Sequence, residues 1–130
     1  MMSPMQGEII ALWMVFLFGM VFHTQLAMMP LLYGVDIAIP HYQGKTPVSH
    51  LWMMLGFFAL PMGAIAATAL YSSPVYRLAH FGLTLVYSVL NLLHVTMDLK
   101  VEPIEWYQIA LMLLVLANGL VLNWVAYQWI

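Results

Sequence analysis

Four stretches of roughly 20 or more mostly apolar residues, 8–32, 48–71, 75–98 and 104–130, make up nearly the whole chain. A helix rising about 1.5 Å per residue needs about that many to cross a hydrocarbon core of about 30 Å. Only 6% of the 130 residues are charged and 65% are hydrophobic, whereas a soluble domain carries about a quarter charged residues. The sequence therefore predicts an all-α fold: an integral-membrane, multi-pass four-helix bundle forming one domain over residues 1–130, with the lipid bilayer as its main solvent.

Short links imply an antiparallel up-down-up-down order with both termini on one side, here side A, beside Ser72-Ser73-Pro74. Side B receives the segment 33–47 and the link Lys100 to Pro103. Gly34, Pro40, Gly44 and Pro47 make residues 33–47 an irregular loop, with His41 inside it. Thr46-Pro47 or Ser49 is expected to open the second helix, and Ser73-Pro74 the third. Trp52, Trp106 and Tyr107 near side B, with Trp13, Tyr71, Tyr76, Trp124, Tyr127 and Trp129 near side A, fit aromatic belts. Lys45 and Lys100 against Arg77 do not set the orientation. The N-terminus lacks the basic region and cleavage site of a removable signal, so the first helix is expected to stay in the mature protein.

The second stretch carries small residues at Gly56, Ala59, Gly63 and Ala67, a stripe expected to let a neighbouring helix approach closely. Pro61 in its middle removes a backbone donor, so the carbonyl of Phe57 needs another partner. In the third stretch, Arg77, His80, Thr84, Tyr87, Asn91, His94 and Asp98 follow at steps of 3 and 4 and share one helical face. An ionisable group at the centre of a bilayer costs about 2.5 to 3.5 kcal/mol or more, so this seam should face the bundle interior. Asn118 and Asn123 in the fourth stretch are expected to hydrogen-bond between helices.

Depth along the helices gathers His94, His50 and His23 toward side B with Asp98 and Asp36, and leaves His80 near side A beside Arg77. His94 with His50 or His23 can clamp the iron of a haem b, with Asp98 orienting the His94 ring from one turn away. The fourteen-residue separation of His80 and His94 resembles the His-x13-His pattern of dihaem cytochrome b helices, in which one helix gives a ligand to each of two haems. The likeness covers this helix alone. No histidine elsewhere matches the depth of His80, for which Met14 or a symmetry-related copy is the candidate partner, and Tyr87 and Asn91 crowd the space between the two levels. One haem on side B is the expectation, in a small electron-transfer subunit of a larger membrane complex.

Other readings use the same residues. A cofactor-free accessory subunit would use the seam as packing glue toward other membrane subunits or further copies of itself. A proton relay would use Arg77, His80, Thr84, Tyr87, Asn91, His94 and Asp98 as stepping stones. A copper-type metal site would join His94, His50 and His23 to Asp98 or Asp36, near Met28, Met29, Met53, Met54 and Met97. The absence of cysteine excludes thiolate sites and covalent haem attachment, and no basic patch favours nucleic acid. No hydrolase or nucleotide fingerprint occurs. A subunit of a redox complex thus fits better than a self-contained enzyme.

Overall fold

The computed structural model describes residues 1–40 and 42–130, so His41 lies outside it. Among the described residues there are four long helices and no strand: α1 (Pro4–Met28), α2 (Val48–Leu70), α3 (Pro74–Asp98) and α4 (Trp106–Trp129). All four are long and apolar enough to cross a membrane. Large apolar side chains such as Phe18, Leu60 and Leu114 are exposed on the outside of the bundle.

Local chemistry sets the ends. α1 starts four residues earlier than the apolar run because Ser3 and Gln6 form a reciprocal capping box, with Pro4 in the first turn. Its far end tightens at Pro30 into a 3-10 turn, Met29–Tyr33, which stops at Gly34 with φ of 72°. The Ser73 side chain accepts from the Tyr76 N–H and caps α3 as expected. Neither Thr46 nor Ser49 caps α2; Pro47 occupies that position without a side-chain bond.

The closest helix pairs are α1 with α4, α3 with α4, and α1 with α2. α2 and α3 follow one another in sequence but make no comparable approach. Tyrosines from α3 bridge the gap instead. The Tyr87 hydroxyl donates to the Phe57 carbonyl at 2.7 Å, which is the partner that Pro61 leaves that carbonyl needing. The Tyr76 hydroxyl donates to the Ala64 carbonyl at 3.1 Å and lies 2.8 Å from the Thr68 hydroxyl. Trp13, Phe16 and Tyr87 pack edge to face, with ring centroids 5.4 to 5.6 Å apart, at the centre of the core.

Two expectations are corrected. Gly56, Ala59 and Gly63 are exposed, and no atom lies within 4 Å of where a Cβ would stand on either glycine. Close packing falls instead at Gly19 of α1, where a Cβ would meet Val115 Cγ2 at 2.5 Å, and at Gly119 of α4, against Ser88. Trp13 and Trp129 are core residues at 0% and 3% exposure, not belt residues, because the Trp13 N–H and the Trp129 carbonyl have partners on α3. The remaining belt residues are exposed, apart from a half-buried Tyr76. Asn118 donates to the Leu12 carbonyl at 3.0 Å and Asn123 to the Ser88 hydroxyl at 2.8 Å, so both do link helices.

Gly19→Ala should lower stability by about 1–3 kcal/mol through overpacking against Val115, and Val115→Ala in the same chain should recover part of the loss. Gly63→Ala, in open space, should change stability by no more than about 1 kcal/mol, toward greater stability. Unfolding of the detergent-solubilised protein followed by circular dichroism measures all three.

Candidate metal centre

Three helices meet at the end of the bundle where α3 stops. His94 and Asp98 occupy the last turn of α3, four residues apart and therefore on one face. His23 comes from the C-terminal part of α1 and Gln108 from the first turn of α4. Asp98 Oδ2 lies 3.5 Å from His94 Nε2 and 3.6 Å from His23 Nε2. One ligand atom from each of these residues falls within 4.8 Å of the other two. The two imidazoles stand edge to face at 80°, with centroids 5.0 Å apart.

Gln108 determines which nitrogen of His23 is free. Its amide N–H donates to the His23 carbonyl at 3.0 Å, which turns its Oε1 toward His23 Nδ1 at 2.7 Å. A carbonyl oxygen can only accept, so His23 Nδ1 carries the proton and the neutral ring presents the Nε2 lone pair to Asp98. Asp98 Oδ2 is itself buried without a hydrogen-bond partner. In that neutral form two electron-rich atoms, His23 Nε2 and Asp98 Oδ2, face each other at 3.6 Å. A proton or a cation resolves such an arrangement.

A cavity of about 280 Å³ opens beside the triad, and its lining includes His23, Asp98, Glu102, Glu105 and Gln108. The two glutamates add negative charge to its lining, which favours cations there. None of Met28, Met29, Met53, Met54 and Met97 lines this cavity, and all five are exposed.

The other candidate residues lie elsewhere. His50 is exposed in the first turn of α2 and outside the triad. Asp36 is exposed in the loop, where its carboxylate accepts the Ala38 N–H. His80 is buried near the start of α3, and its Nε2 accepts the Trp13 indole N–H at 2.9 Å. Arg77 donates to the Trp129 carbonyl at 3.2 Å and stacks over that ring. Tyr87 is spent on the Phe57 carbonyl, and Asn91 is buried with an unpartnered Oδ1. The seam does face inward, but its members bond mainly to backbone and to other helices: Thr84 donates to the Phe81 carbonyl, for example.

Sequence reasoning passed over Gln108 because it followed titratable groups. A glutamine one turn into an otherwise apolar helix carries the same demand for a buried partner, and that signal was available. Comparison of the chain with protein-family models, curated proteins and solved structures finds no match.

Proposed function

We propose that this chain is a multi-pass membrane protein that binds a single divalent transition-metal ion at one end of its bundle through His23 Nε2, His94 Nε2 and Asp98 Oδ2. The convergence of these atoms around an unpartnered carboxylate oxygen carries the reading. Ligands at about 2.0 Å from a tetrahedral ion stand about 3.3 Å from one another, close to the 3.5 and 3.6 Å from Asp98 Oδ2 to the two imidazole nitrogens, and all three ligand atoms lie within 4.8 Å of one another. Two imidazoles and one carboxylate suit zinc or iron(II), and the set leaves coordination positions open toward the cavity. Gln108 holds His23 in the ligating tautomer, as a carbonyl behind a metal-bound histidine commonly does.

The compact triad supports a lone ion over haem b. Imidazoles on opposite sides of a haem iron have ring centroids about 6 Å apart, given metal–nitrogen bonds of about 2 Å, against 5.0 Å for His23 and His94. The missing thioethers argue for a harder ion than copper(I). An up-down-up-down bundle with both termini on one side goes with this reading. Its support is the order of cross-helix partners: Gln6 with Thr68 and Phe16 with Phe57, His23 with Gln108 and Leu12 with Asn118, Arg77 with Trp129 and Ser88 with Asn123. In each helix pair the numbers run in opposite directions.

Cobalt(II), a spectroscopic stand-in for zinc, should bind the detergent-solubilised protein with one ion per chain and give visible ligand-field bands. His23→Ala, His94→Ala and Asp98→Asn should each abolish the bands; equal binding by all three variants would overturn the assignment. A Soret band in haem-replete protein that disappears in His94→Ala would instead return the reading to haem b. Gln108→Leu should weaken the metal about 10- to 100-fold without removing a ligand, read by competition with a chelator. Because the ion displaces protons from its ligands, affinity should fall on acidification, and titration calorimetry in buffers of different ionisation enthalpy should register proton release.

A further inference from the structure

The triad of His23, His94 and Asp98 is floored on its inner side. Met20 on α1, Asn91 on α3 and Met112 on α4 stand three or four residues inward of His23, His94 and Gln108, and they are 5%, 1% and 0% exposed. Beyond this floor the rings of Trp13, Phe16 and Tyr87 fill the core, none of them more than 4% exposed. A divalent ion moving inward would exchange a carboxylate and two imidazoles for two thioethers and one amide oxygen, and then for aromatic rings. Thioethers suit copper(I) and not the harder ion that the triad fits, and a charge without such ligands is costly at membrane depth.

The outer side is open. The cavity of about 280 Å³ beside the triad reaches the α3–α4 link, where Val101, Glu102, Pro103 and Glu105 line it together with Asp98 and His23. Its lining holds three carboxylates and no lysine or arginine. Glu102 and Glu105 are exposed, whereas Asp98 is half-buried with its Oδ2 unpartnered. Exposure thus falls from the link toward the triad, so a hydrated cation meets the two glutamates before it loses water to Asp98. We propose that an ion enters and leaves the metal centre only by way of the α3–α4 link, captured by Glu102 and Glu105 and passed to Asp98, and does not cross the bundle. The centre is then a one-sided acceptor of ions and not a step in a transport path. This route rests on the reading of the triad as a metal site.

Stopped-flow mixing of cobalt(II) with the detergent-solubilised protein follows the ligand-field bands in time. Unaltered protein that gives no bands would overturn the metal reading itself, and the route with it. With bands present, Glu102→Gln combined with Glu105→Gln should slow association about 10-fold at low salt and flatten its dependence on ionic strength. The final bands should stay unchanged, because no ligand is lost. An unchanged association rate would overturn capture by the glutamates. Sidedness is read in proteoliposomes of the Lys100→Cys variant, in a chain that otherwise has no cysteine. After a membrane-impermeant maleimide has labelled the outward-facing cysteines, cobalt(II) added outside should load the labelled fraction of chains alone. With zinc added outside, a zinc-sensitive dye trapped inside should respond no faster than in protein-free vesicles. Loading of all chains, or a protein-dependent dye signal, would overturn the one-sided route.

Discussion

Hydrocarbon offers no hydrogen bond, so every polar group within the apolar spans must find its partner inside the chain. The bond from Tyr87 to the Phe57 carbonyl shows how far that requirement reaches. Pro61 removes one backbone donor from α2, and a tyrosine on α3 supplies the replacement across the gap between two helices that approach each other less closely than the other pairs do. The same side chain then serves as the platform on which Trp13 and Phe16 pack. Satisfaction of one carbonyl thereby orders the centre of the core. Gln6 to Thr68, Asn118 to Leu12 and Arg77 to Trp129 repeat the pattern, each joining a side chain on one helix to a carbonyl on another.

Against that background, atoms left without partners are informative. Asp98 Oδ2 and His80 Nδ1 are opposite cases at opposite ends of α3. The first is a carboxylate oxygen beside two imidazole nitrogens, an arrangement that a proton or a cation would resolve. The second is a donor enclosed among apolar and aromatic side chains. In both, a neighbour fixes the proton on the imidazole: Gln108 for His23 and Trp13 for His80. The tautomers of His23 and His80 are thus set by residues that do not titrate.

The number of helices, the inward face of α3 and the orphaned Phe57 carbonyl were legible in the sequence because each follows from periodicity or from the loss of one donor. The grouping of His23 with His94 and Asp98 was legible from depth along the helices. Depth alone also admitted His50, which failed to join because the facing of a side chain around its helix depends on which helices are neighbours. That order was hidden. The stripe of Gly56, Ala59 and Gly63 looked like a packing surface, yet the close approach runs through Gly19, a single glycine among large side chains with no repeat to betray it.

Gln6 joins the capping box of α1 to the last turn of α2: its oxygen accepts from the Ser3 N–H and its amide donates to the Thr68 carbonyl at 2.7 Å. The two ends are 62 residues apart in sequence. A chain threaded into a bilayer helix by helix meets this bond only when the last turn of α2 has arrived. The amide of Gln6 thus joins the first two helices through a bond that needs no residue of α3 or α4.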